Sequence, residues 1–206
     1  KNVCLQVNNQ GCNSDLTCVT IDVTARPDVD IDAEANQCFD GNSFSFTTSG
    51  DPADSYFWNF GASASPPTST DPVPPAVTYL SSGPKTVSLV TSKDGCFGDS
   101  SVITFEVIEE PSADFSVSSA SICTDSCITF AYAGTVLGPT QSFLWDFGPG
   151  AVPQTSSLPF PPCVEYVTGG VKTVTLTVTY RGCVVSTSQN VHVNAGPLVT
   201  AGTDRE

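Results

Sequence analysis

The sequence has one histidine, no methionine, and only seven lysines and arginines among 206 residues. Each shortage removes a class of function. Acid and base catalysis, serine triads and metal hydrolysis need His, Lys or paired carboxylates gathered in a preorganised cleft. His192 stands alone in a strand-like Val-His-Val stretch, so neither a triad nor a zinc centre has its nitrogen donors. The few cations leave a net charge of −14, which repels the phosphates that a nucleic-acid binder must neutralise and disfavours anionic membranes. Long apolar runs are also missing. The longest, TVSLV and TVTLTVTY, are broken by Ser and Thr, whereas a spanning helix needs about 20 apolar residues. No glycine-rich loop follows a strand and opens a helix, so a phosphate cradle is not expected. The composition predicts a protein that is not an enzyme, with no nucleic-acid partner and no direct membrane insertion.

What is present is globular. Apolar residues make up 39% of the chain and the mean hydropathy is +0.04, enough for packed cores in one large domain or two of about 100 residues. The start KNVCLQV, with no leader and no Met anywhere, predicts the interior of a longer mature product.

The chain repeats itself. Shifted by 87 residues, Ser55 to Cys96 align without a gap on Ser142 to Cys183, with 20 of 42 positions identical; composition alone would give about 2 or 3. The matches include Trp58 with Trp145, Phe60 with Phe147, Tyr79 with Tyr166 and Cys96 with Cys183. A third copy opens the chain, because KNVCLQVNNQGC lies over Lys85 to Cys96 and over Lys172 to Cys183. Each copy closes with a valine and, four residues on, a proline: Val23 and Pro27, Val107 and Pro111, Val193 and Pro197. The expected modules are 1–26, the last hairpin of a truncated repeat; 27–110 and 111–196, complete repeats; and 197–206, the first strand of another.

Inside each repeat the period is two. Val87 and Leu89 alternate with Thr86 and Ser88, and Val174, Leu176 and Val178 with Thr173, Thr175 and Thr177. Short strands separated by Pro-rich loops and Gly-led turns predict an all-β sandwich. Trp58 with Phe60, and Trp145 with Phe147, share a strand face and are expected in its core.

Nine cysteines indicate an oxidising, extracellular setting. If bonding stays within modules, the first complete repeat can only join Cys38 with Cys96, and its sister should join Cys123 with Cys183. Cys127 and Cys163, both extra to the second copy, then pair with each other, and Cys4 pairs with Cys18 across one hairpin. Cys12 occupies the Cys96 position, so its expected partner lies outside the chain.

No cofactor is called for. The weak candidates for Ca²⁺ are acidic: Asp28, Asp30 and Asp32, with Glu34, fall on one side of an alternating strand, and Glu109 and Glu110 precede Pro111. Four carboxylates on one strand face usually mean a solvated face, since calcium needs carbonyls and further carboxylates from elsewhere.

These motifs resemble the polycystic-kidney-disease (PKD) domain, an immunoglobulin-like sandwich with a WDFGDG turn and a later HxYxxxGxYxVxLxV stretch. WNFGAS (Trp58 to Ser63) and WDFGPG (Trp145 to Gly150) match the first, and VTYLSSGPKTVSLV and VEYVTGGVKTVTLT the second. The aspartate after the glycine is absent from both copies. The cysteine-rich variant resembles repeats of large bacterial surface proteins that use the type IX secretion route, gliding-motility adhesins among them. That resemblance implies a rod of modules, each adding about 30 to 40 Å, in a stalk or filament of a cell-surface adhesin. Its implied partners are neighbouring repeats of the same polypeptide, surface polysaccharide and other cell-surface proteins. The alternative is a set of non-catalytic accessory modules of a secreted protease or polysaccharide-degrading enzyme, which would display an aromatic patch drawn from Tyr56, Phe57, Phe97, Tyr132 and Tyr180.

Overall fold

The computed structural model describes residues 1–196. The strand expected at 197–206 lies outside the described residues. Every regular element among the described residues is a strand, as a period-two chain with a glycine or proline every few residues requires. Two compact units form: 1–37 with 42–107, and 38–41 with the described residues from 108 on.

In the first unit the long strand Gly83–Lys93 lies between Ser55–Asn59 and Ser101–Ile108, with Thr68–Ser69 beyond Ser55–Asn59. Facing it are the antiparallel pair Val29–Ala33 with Phe46–Gly50 and the pair Ala64–Ser65 with Thr78–Tyr79. Alternation sends Val87 and Leu89 inward against Phe44, Phe46, Trp58, Phe60, Val77 and Tyr79. The rings pack at an angle or offset; those of Trp58 and Phe60, for example, have centroids 5.9 Å apart, an arrangement that favours aromatic pairs beyond their area.

The second unit repeats the plan. Gly170–Tyr180 lies between Ser142–Asp146 and Cys183–Asn194, and the facing strands include Phe115–Val117, Phe130–Tyr132 and Val164–Tyr166. Trp145, Phe147, Tyr166, Val174, Leu176 and Val178 form the core with Phe115, Ile128 and Phe130. The outward face of the long hairpin is zipped by polar side chains: Thr173 Oγ1 donates to Asn190 Oδ1 at 3.0 Å, and the hydroxyls of Thr175 and Ser188, and of Thr177 and Ser186, lie 2.9 and 2.8 Å apart. Such cross-strand pairs stabilise a sheet without adding apolar surface.

Both motif turns rest on the same contacts. The Trp58 indole donates to Asp71 O at 2.9 Å and that of Trp145 to Leu158 O at 2.8 Å. Gly61 and Gly148 have φ of 80° and 79°, and a Cβ on either would stand 2.8 or 2.9 Å from the carbonyl oxygen of Thr86 or Thr173. Only glycine fits. The residue two before each glycine closes the turn, Asn59 Oδ1 accepting from Gly61 N at 3.0 Å and Asp146 Oδ1 from Gly148 N at 2.9 Å.

Residues 1–26 form two short antiparallel ladders, Asn2–Leu5 with Thr17–Thr20 and Asn8–Asn9 with Cys12–Asn13. All of their side chains are exposed.

Candidate functional site

The cysteines give the chain its most distinctive chemistry. Cys4 faces Cys18 directly in the hairpin ladder, and the two are bonded with Cα atoms 4.0 Å apart. Cys127 begins the strand Cys127–Ile128 and is bonded to Cys163, which immediately precedes Val164–Tyr166, the strand that pairs with it.

Two expected bonds are not formed. Cys38 is bonded to Cys183, with Cα atoms 5.6 Å apart, in place of the Cys38–Cys96 and Cys123–Cys183 pairs that within-module bonding requires. Strand geometry explains the correction. Ser121–Cys123 runs parallel to the end of Cys183–Asn194, so that Cys123 lies opposite Asn194, while Cys183 starts that same strand beside Tyr180. Eleven residue-to-residue steps separate the ends of this 12-residue strand, about 37 Å at 3.4 Å each, whereas a disulfide needs Cα atoms within about 7 Å. The first unit's sheet has the same arrangement. Cys96 sits at the turn, opposite Lys93, whereas Gln37–Cys38 adds to the far strand Ser101–Ile108, with Phe39 N donating to Ile108 O at 2.8 Å. Cys12, Cys96 and Cys123 are free thiols, the first and last exposed.

Glu110 stands beside the Cys38–Cys183 pair, its carboxylate within 4.8 Å of both sulfurs, and this is the one convergence of three potential ligand atoms among the described residues. As a disulfide the sulfurs offer no thiolate, and the Glu110 carboxylate accepts weakly from Asp40 N at 3.4 Å. Asp30 and Asp32 point to solvent, while Val29 and Ile31, which alternate with them, are buried. The Asp28 amide donates to the Asp51 carboxylate at 3.3 Å. Glu34 accepts from Gln37 Nε2 at 2.8 Å. Asp28, Asp30, Asp32, Glu109 and Glu110 are thus not gathered into a carboxylate cage among the described residues.

Two lysines lie inside, 8% and 6% exposed at Lys85 and Lys172. Each covers a core tyrosine ring, with Nζ 5.4 Å from the Tyr79 centroid and 5.8 Å from that of Tyr166. Lys85 Nζ donates to Ser63 Oγ, Ser81 Oγ and Ser82 O, and Lys172 Nζ to Pro149 O and Thr168 Oγ1. A concavity lined by Gly61, Ser63, Ser81 and Lys85 opens here, but its ammonium already has oxygen partners. The tyrosine hydroxyls beneath are pushed up to about 12, Tyr79 by burial and Tyr166 by burial and the Asp146 carboxylate.

The five aromatics considered for a ligand platform differ in exposure, with Tyr180 partly buried. Tyr132 is buried, its hydroxyl donating to Thr135 O at 2.8 Å, and Tyr56 packs against the first core. Phe57 and Phe97 remain well exposed.

No protein family and no curated protein matches the chain. Among solved structures it is similar to fibronectin(III)-like modules of CbhA from Clostridium thermocellum (14% identity, 86% of this chain and 100% of that one, TM-score 0.37). It is also similar to extracellular domains 3–5 of Drosophila OTK (8%, 93% and 70%, 0.48) and to the I67–I69 fragment of the titin I-band (13%, 84% and 67%, 0.41). The chain is an all-β protein of two β-sandwich units.

Proposed function

We propose that the chain is a structural stalk segment of a long secreted adhesin on the cell surface, of the gliding-motility type that travels by the type IX route, with adjoining repeats of the same polypeptide as its immediate partners. One observation carries the reading. Val3, Leu5 and Val7 are 56%, 67% and 56% exposed, yet they occupy the positions of Val87, Leu89 and Thr91 and of Val174, Leu176 and Val178, all of them buried in the complete modules. A two-stranded hairpin with its core face in water is marginal by itself, and the surface that would cover it is the remainder of a PKD-like repeat. The three disulfides support an extracellular location.

The parent reading frame tests this. Further copies of the 87-residue period on both sides are expected, and antibodies raised against the chain should label intact, unpermeabilised cells. A parent with one or two modules joined to a hydrolase domain would sink the proposal.

A further inference from the structure

We infer that Cys12, Cys96 and Cys123 are bonding sites for neighbouring modules, in a ladder of disulfides that each join one repeat to the next. The inference rests on the reading of the chain as a segment of a longer array. Each complete repeat carries two framework cysteines: a first, Cys38 or Cys123, and a second, Cys96 or Cys183. The bond that forms joins the first cysteine of one repeat to the second cysteine of the following repeat, Cys38 to Cys183. The two framework cysteines of a single repeat stand at opposite ends of its sheet, about 37 Å apart in the second module, so they cannot bond to each other.

Moved along by one repeat, the same bond takes Cys123 to the second cysteine of a following module and Cys96 to the first cysteine of a preceding one. Moved again, it takes Cys12, which occupies the Cys96 position, to the first cysteine one module earlier still. Those three positions are the free thiols among the described residues, with none left over. The local bonds Cys4–Cys18 and Cys127–Cys163 use cysteines outside the two framework positions and leave the rule intact. Forming each rung releases two thiol protons and two electrons, which an extracellular thiol oxidase takes up or which reduce a small disulfide to two thiols by exchange.

The test has two arms. On the chain itself, alkylation under denaturing, non-reducing conditions should modify three thiols, at Cys12, Cys96 and Cys123, and peptide mapping should recover Cys38 joined to Cys183. One modified thiol, with Cys38 on Cys96 and Cys123 on Cys183, overturns the ladder. The second arm adds another copy of residues 111–196 after Gly196, marked by Val184→Ile in the added copy. The map should then join Cys123 to the marked equivalent of Cys183, and the Cys123 thiol should be lost to alkylation. If Cys123 stays alkylatable while the added copy is folded, the ladder falls and the array reading stands. A parent without adjoining repeats removes the array reading and leaves the Cys38–Cys183 bond in place. Should the added copy not fold, the same map on the parent protein released from cells decides between rungs and free thiols.

Discussion

Tyr166 donates its hydroxyl hydrogen to the carbonyl oxygen of Phe147 at 2.8 Å, and Tyr79 makes the same bond to Phe60 at 3.0 Å, nineteen residues back in each case. The bond ties the strand carrying the second sequence motif to the end of the first. Removing the hydroxyl leaves a buried carbonyl without its partner, a loss of about 1 to 3 kcal/mol. Tyr166→Phe should lower the urea midpoint of the second unit's transition and leave the first unit's in place; Tyr79→Phe should do the reverse. Equal shifts in both would contradict the separate cores.

The same hydroxyls set a pH limit. Both are held up to about 12 in the folded chain against an ordinary 10. An acid whose folded value is raised keeps its full contribution below pH 10 and loses it as pH climbs from 10 toward 12. Absorbance titration at the tyrosinate band should show Tyr79 and Tyr166 ionising only above pH 10, together with loss of the fold. Ionisation of either one near pH 10 in a chain that stays folded would rule the account out.

Gly61 and Gly148 combine a positive φ with a carbonyl oxygen where a Cβ would go. Gly61→Ala and Gly148→Ala should each destabilise the unit concerned by at least about 2 kcal/mol, measurable by urea melts. A comparison substitution, Gly182→Ala, also at positive φ but in open space, should cost less, about 1 kcal/mol.

The acidic strand should behave as solvated surface. Asp30→Asn and Asp32→Asn are expected to move stability by no more than about 0.5 kcal/mol, and Ca²⁺ or EDTA should leave the melting temperature where it was. A calcium-dependent rise in melting temperature that either substitution abolishes would restore the cation site.

The core was legible because the repeat printed it twice. An alternating stretch with Trp58 and Phe60, aligned on Trp145 and Phe147, leaves little choice about which face turns inward. Lys85 and Lys172 were missed, although the signal was there: each sits two residues before Val87 or Val174, on the inward side of the alternation, and its stem packs inside while its ammonium finds oxygen acceptors. The cysteine framework could not be read in the same way. Alignment tells which cysteines are equivalent, not where along a strand each one lies. Placing Cys123 at the far end of Cys183–Asn194 depends on a parallel pairing between segments some seventy residues apart, which no local pattern announces. Tyr132 was misjudged for a similar reason, since its burial comes from Phe143, whose ring lies 4.8 Å away.

The Cys38–Cys183 bond spans 145 positions of the sequence. Tension applied at the two ends of the chain therefore passes through that covalent link and bypasses the polypeptide between. While the bond is intact, the intervening residues are shielded from load, and unfolding them adds almost no contour. Reduction would release a hidden length of about 500 Å, at 3.3 to 3.6 Å per extended residue. The thiol redox state, and not the strength of either sandwich, decides how far this segment can be drawn out.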